Sequence, residues 1–98
     1  MGLLQRIFGG GSSATKEVIA SGATIIDVRT PQEFAGGHPK GAINIPLNTI
    51  PSNIARIKKM KKPLVLCCAS GMRSGQATNI LKKEGIEEVH NGGSWTSI

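Results

Sequence analysis

The residues best suited to chemistry lie together in Leu64-Val65-Leu66-Cys67-Cys68-Ala69-Ser70-Gly71-Met72-Arg73-Ser74. An apolar run ends in two thiols, a loop of small residues follows, and an arginine stands near the start of what reads as a helix. A thiol is a weak nucleophile until it ionises. Cys68 precedes a helix start, whose free amides and dipole favour negative charge. Arg73 adds a permanent cation a few residues on. Ser70, Gly71, Ser74 and Gly75 are small enough for backbone amides to converge on one point. Such a nest can hold a thiolate, a persulfide or an oxyanion.

Which cysteine reacts decides the chemistry. Counted from Cys67 the pattern is Cys, five residues, Arg, Ser, formally a phosphatase signature. Counted from Cys68 it is Cys, four residues, Arg, with Gly71 three positions after the cysteine. The longer loop makes a pocket for a tetrahedral phosphate, and the shorter one suits a smaller sulfur group. A phosphatase loop also places its glycine three after the cysteine, whereas Gly71 lies four after Cys67. Cys68 is therefore the better nucleophile, and Cys67 reads as the buried end of a strand.

The remainder of the chain must position this loop. Gly9-Gly10-Gly11-Ser12-Ser13 has linker composition, and residues 1–13 read as a flexible lead-in. Ser12 or Ser13 can cap a helix over 14–20, stopped by Gly22. The β-branched run 23–28 predicts a buried strand. Thr30-Pro31-Gln32-Glu33 is a capping box with proline at the first helical position, and Phe34 is the expected core anchor of that short helix. A second strand spans 42–45. A helix is expected over 48–60, with Ile54, Ile57 and Met60 on one face. The third strand covers 64–67. A helix over 74–83 buries Ala77, Ile80 and Leu81, a last strand covers 88–90, and Gly92-Gly93-Ser94-Trp95 is expected to turn into a short C-terminal segment. Strands alternating with helices imply a parallel sheet, with functional loops beyond the carboxyl ends of the strands. The Cys68 loop and Asp27-Val28-Arg29 both lie at such ends.

Composition narrows the function classes. The 98 residues suffice for one small domain, and the net charge is +6. The densest basic run, Arg56-Ile57-Lys58-Lys59-Met60-Lys61-Lys62, has no interleaved aromatic residue, which argues against nucleic acid. It reads as a solvated helix end whose cations suit the dipole. No stretch is long enough to span a membrane, and no secretory signal is visible. Adjacent cysteines rarely form a disulfide, so free thiols in a reducing cytoplasm are expected. Two histidines and two adjacent cysteines do not match a zinc site, and no metal is expected.

Cys68-Ala69-Ser70-Gly71-Met72-Arg73-Ser74 resembles the active-site loop of the rhodanese family of sulfurtransferases. Ile26-Asp27-Val28-Arg29-Thr30-Pro31-Gln32-Glu33-Phe34 is similar to that family's first signature. Gly37-His38-Pro39-Lys40-Gly41-Ala42-Ile43-Asn44-Ile45-Pro46 continues it, and Asn91-Gly92-Gly93-Ser94-Trp95 resembles its closing motif. Pro39 departs from the usual aliphatic residue after the histidine. Ile98 follows Trp95 closely where relatives continue through a last helix, so one flank is expected to be thinly covered. The resemblance implies an α/β domain over 14–98, with a central parallel sheet flanked by helices on both faces.

It also implies a mechanism. Cys68 attacks the outer sulfur of a small anionic donor such as thiosulfate, carries a persulfide and passes the sulfur to cyanide, a thiol or a protein acceptor. No cofactor beyond that covalent persulfide is implied. Ala69, Ser70, Gly71, Met72, Arg73 and Ser74 form the substrate-binding loop, and Arg73 either orients the donor or pins the loop. Asp27, Arg29 and His38 are supporting residues. Asp27 and Arg29 are expected to form an ion-pair network with Glu33 as the partner of Arg29, and His38 a loop-packing hydrogen bond. Lys40 is a solvated lysine, His90 a strand residue and Trp95 core or edge cover. The rival readings are a carrier or protein-interaction module of the same fold, and a small phosphatase or arsenate reductase using Cys67.

Overall fold

A computed structural model describes residues 13–98; the lead-in 1–13, apart from its last residue, and a cap by Ser12 lie outside the described residues. The chain runs α1 (Ser13–Ala20), β1 (Thr24–Asp27), α2 (Pro31–Ala35), β2 (Ile43–Asn44), a 3-10 segment (Leu47–Asn53), α3 (Ile54–Lys58), β3 (Leu64–Cys68), α4 (Met72–Lys83), β4 (Val89–Ser94) and a 3-10 turn (Trp95–Ser97). The four strands form one parallel sheet in the order β2-β1-β3-β4. This is the expected α/β architecture.

Chain direction across the sheet reverses after β2. The β1-to-β2 connection moves one way, and the two later connections move the other way. Right-handed crossovers therefore put α2 on one face and α3 and α4 on the opposite face. The switch lies between β1 and β3, and such a crevice at the carboxyl ends is where this architecture binds ligands. Asp27 at the end of β1 pairs with Cys67 near the end of β3.

Strand alternation divides the interior. Ile26, Val28, Leu64, Leu66 and Cys68 pack with Ile57 of α3 and Ala77 and Leu81 of α4 in one apolar cluster. Ile25, Val65 and Cys67 are buried outside that cluster, on the other face of the same strands. Cys67 and Cys68 are thus separated by the pleat although they are neighbours in the chain.

Several expectations need correction. Phe34 is half-buried, because the five-residue α2 buries none of its residues. Its ring stacks on His38, with centroids 3.7 Å apart. The helix expected over 48–60 is a 3-10 segment followed by a short α3, since Pro51 lacks the amide an α-helix needs there. Ile80 is partly buried against the core rather than fully inside it. Helix α4 begins two residues early, at Met72. The last strand extends through Gly92 and Gly93, which composition alone reads as a turn. There Leu66 faces Asn91 but Cys67 faces Gly93, a bulge that leaves Gly92 as the extra residue. A Cβ on Gly92 would lie 2.7 Å from Val65 Cγ1 and 3.1 Å from the Leu66 carbonyl, so close approach of the backbone selects glycine.

Candidate active site

Cys68 ends β3 with its side chain on the α4 face, and the chain turns at Ala69-Ser70-Gly71 to start α4. Gly71 precedes the helix at φ 103°, a left-handed conformation that disfavours any side chain. This turn aims amides at the sulfur. Gly71 N donates to Cys68 Sγ at 2.9 Å and Ser74 N donates at 3.4 Å. The Ser74 hydroxyl lies 3.4 Å from the same sulfur. Burial opposes ionisation of Cys68, but the Ser74 hydroxyl and the Ser74, Gly71 and Ser70 amides outweigh it, so the thiol ionises below its ordinary range.

Cys67 is buried as Cys68 is, but its surroundings act in the opposite direction. It is fully buried, and its thiol is pushed up to about 12, first by burial and then by the Asp27 charge, with Arg29 opposing. The adjacent thiols therefore differ in face and in ionisation. The Cys67 register proposed for phosphoryl chemistry would have to use a thiol that its surroundings keep protonated.

Arg73 does not reach back over the loop as a free cation. Its Nη1 and Nη2 donate to Glu33 Oε1 and Oε2 at 2.8 and 3.1 Å. Oε1 of that carboxylate also accepts from Thr30 N at 2.9 Å, while the Thr30 hydroxyl accepts from Glu33 N at 3.2 Å. The capping box of α2 therefore also anchors α4. Arg73 holds Glu33 far down, at about 2, with the Thr30 amide adding to the effect. The ion pair with Glu33 ties the start of α4 to α2. The Arg73 charge still reaches Cys68, which in turn favours the charged guanidinium.

The expected Arg29–Glu33 pair is not formed, because Arg73 occupies that carboxylate. Arg29 instead pairs with Asp27, Nη2 to Oδ2 at 2.7 Å, with both side chains buried. Arg29 Nη2 also donates to the Gly37 carbonyl at 2.6 Å, and the guanidinium lies 4.4 Å from the Trp95 ring centre. Asp27 and Arg29 thus brace the Cys67 face and the Gly37 turn, while Trp95 covers them. Asn44 Nδ2 ties β2 to this corner through the Asp27 and Arg29 carbonyls. His38 Nδ1 bonds the Phe34 carbonyl at 2.8 Å, the loop-packing role expected of it. Lys40 is exposed and His90 lies within β4.

The loop's outer rim carries no charge. Ala69 and Ser70 are exposed, and Met72 is 76% exposed, the large apolar residue that stands out on the surface. Ser74 is fully buried. Asn91, quoted above only as part of a motif, bonds both Ser74 and Gly71. The signal for it was the Gly92-Gly93 pair, which makes the bulge that brings Asn91 to the loop. Among the described residues no group of three or more His, Cys, Asp or Glu is placed to hold a metal. No helix among them is long and apolar enough to cross a membrane.

The chain is similar to known proteins. The chain is 45% identical over 69 residues to the uncharacterized protein YqhL of Bacillus subtilis, covering 70% of this chain and 54% of that one. It is 40% identical over 74 residues to the thiosulfate sulfurtransferase PspE of Escherichia coli, covering 74% and 71%. Against YqhL, then, the chain spans about half of the relative's length. A rhodanese with anions from E. coli superimposes with a TM-score of 0.71 at 36% identity, covering 78% of this chain and 91% of that one. The human single-domain sulfurtransferase TSTD1 gives 0.69 at 29% identity, covering 83% and 86%. The family model described as the rhodanese-like domain matches residues 12–96, which include the Cys68 loop, the Asp27 corner and the Gly92 bulge: the chain belongs to the rhodanese-like family.

Proposed function

We propose that the protein is a sulfurtransferase that carries sulfane sulfur as a persulfide on Cys68. The observation that carries this reading is the pair of amides, Gly71 N and Ser74 N, directed at Cys68 Sγ. Such donors hold an anionic sulfur in place without reorganisation. The name of PspE, a thiosulfate sulfurtransferase, supports thiosulfate as one donor. The thiolate attacks the outer sulfur of thiosulfate. A bond forms between Cys68 Sγ and that sulfur, the sulfur–sulfur bond of the donor breaks, and sulfite leaves with the electron pair. Cyanide or an acceptor thiolate then attacks the terminal sulfur, forms the new bond and returns the Cys68 thiolate, which gives two-step kinetics.

No metal or organic cofactor takes part in this scheme. The acceptor is a small thiol or a protein thiol, and the uncharged rim at Ala69, Ser70 and Met72 suits the approach of either. Nucleic acid and membrane have no role in it. Two free thiols fit a reducing compartment such as the cytoplasm. Production of thiocyanate from thiosulfate and cyanide tests the reading. We expect activity in wild type and in Cys67→Ser, and background only in Cys68→Ser. Mass spectrometry after thiosulfate alone should show one added sulfur on Cys68. Equal activity in the two variants would overturn the assignment. Sulfur loading without turnover would instead support a carrier module, and aryl phosphate hydrolysis dependent on Cys67 would support the phosphatase reading.

A further inference from the structure

Asn91 sits at the bulge of β4, and its two hydrogen bonds to backbone settle which end of its amide is oxygen. Gly93 N donates to Oδ1 at 3.0 Å, and Nδ2 donates to the Gly71 carbonyl at 3.1 Å. A backbone amide only donates and a carbonyl only accepts, so neither bond survives a flip of the side chain. Ser74 Oγ lies 2.6 Å from that same Oδ1. Because Oδ1 has no proton, the serine hydroxyl is the donor.

A hydroxyl has one proton to give. Ser74 Oγ is also 3.4 Å from Cys68 Sγ. With its proton directed to Asn91, the hydroxyl can only accept from the sulfur. The resting chain therefore runs from the Cys68 thiol to Ser74 Oγ and from the Ser74 hydroxyl to Asn91 Oδ1. That direction suits a protonated sulfur. Once sulfur is anionic it has no proton to give, and its lone pairs face those of Ser74. Turning the hydroxyl toward sulfur removes this conflict and releases Asn91, whose Oδ1 keeps the Gly93 amide.

We infer that Asn91 is a positioning residue of the Cys68 site, competing with the sulfur for the single proton of the Ser74 hydroxyl and so controlling how readily Cys68 carries negative charge. The Gly71 and Ser74 amides, and the Ser74 hydroxyl once it turns to the sulfur, favour the anion, and Asn91 offsets part of their effect. The charged groups around the site are accounted for separately. Arg73 of α4 acts on Cys68 but is paired with Glu33 of α2, while Asp27 and Arg29 act on Cys67 on the other face. Asn91 bonds Ser74, Gly71 and Gly93 and none of these four.

The inference rests on Cys68 being the reacting thiol. Its test reads ionisation by alkylation, not sulfur transfer, so failure of the two readings can be told apart. The rate of Cys68 alkylation by iodoacetamide is followed against pH, with the site of modification assigned by mass spectrometry. Asn91→Ala frees the Ser74 proton, and the midpoint should fall by about half a pH unit, about a threefold gain in thiolate below the midpoint. Asn91→Asp keeps the shape, holds the Ser74 proton more firmly and adds a negative charge, so the midpoint should rise by at least as much. In a Ser74→Ala background the effect of Asn91→Ala should disappear, because there is no hydroxyl to release. A residue that merely anchors Gly71 would raise the midpoint in Asn91→Ala, as the Gly71 amide is no longer held on the sulfur, or would keep its effect in that background. Either result overturns the inference. Should Asn91→Ala not fold, Asn91→Asp is compared with and without Ser74→Ala: a midpoint that stays or falls, or a rise of the same size without the hydroxyl, is incompatible with proton competition.

Discussion

The two faces of β3 solve opposite problems within one residue of each other. On one face Cys67, Asp27 and Arg29 are closed off, and the cost of burying charge is met by pairing: the carboxylate and guanidinium are both inside and bonded to each other. On the other face Cys68 stands at a turn where amides have no intrahelical partner, and sulfur takes their place. The ion pair on that side, Arg73–Glu33, is partly exposed and joins two helices without entering the core. Burial thus makes one thiol inert and one ion pair structural. Amides directed at the sulfur lower the ionisation range of the other thiol although it is buried too, and the partly exposed ion pair beside it is an anchor.

Chemical labelling offers the widest separation between the faces. Native protein treated with iodoacetamide at neutral pH should be modified on Cys68 and spared on Cys67, with a rate ratio above about a hundredfold. In denaturant the two should react alike. Comparable native rates would show that strand alternation does not separate the thiols. The closed face can be broken by Asp27→Ala, which leaves the Arg29 charge buried without its carboxylate. Breaking a buried pair in this way costs about 3–5 kcal/mol, a large part of a small domain's stability, and urea unfolding should show it as a fall in midpoint. A shift typical of a surface residue would mean that the guanidinium escapes to solvent.

The open-face pair should show a smaller effect with a distinct pH signature. Glu33 is held at about 2 against an ordinary value of 4.5, so its stabilising contribution is complete above that ordinary value. The contribution fades as pH falls from 4.5 toward 2, where the folded carboxylate itself takes a proton. Glu33→Gln should remove this dependence and narrow the gap in unfolding midpoint between neutral and acid conditions. It should also lower Cys68 alkylation modestly, because Arg73 then loses its anchor. An unchanged acid profile in the variant would assign the pH response to other carboxylates.

Much of this was legible before any coordinates. The capping box Thr30-Pro31-Gln32-Glu33 is local chemistry: residues three apart must meet at a helix start, and they do. The choice of Cys68 over Cys67 followed from counting to Gly71, whose left-handed backbone is what only glycine adopts readily at that turn. Phe34 was misread as a core anchor because an aromatic in a short helix can stack on a neighbour such as His38 instead of entering the core. Gly92-Gly93 looked like a turn because composition cannot distinguish a glycine chosen for conformation from one chosen for clearance.

The sequence by itself determined the parallel α/β plan, the short loop after Cys68 and its glycine turn, since periodicity, caps and a glycine at fixed spacing all act within a few residues. Tertiary structure decided the pairings. Glu33 could reach Arg29 or Arg73, and only the packing of α2 beside the start of α4 gives it to Arg73. Asn91 could be any polar strand residue until the Gly92 bulge sets it against Ser74 and Gly71. Partners 40 and 17 residues apart are chosen by which surfaces meet, and that depends on the whole core.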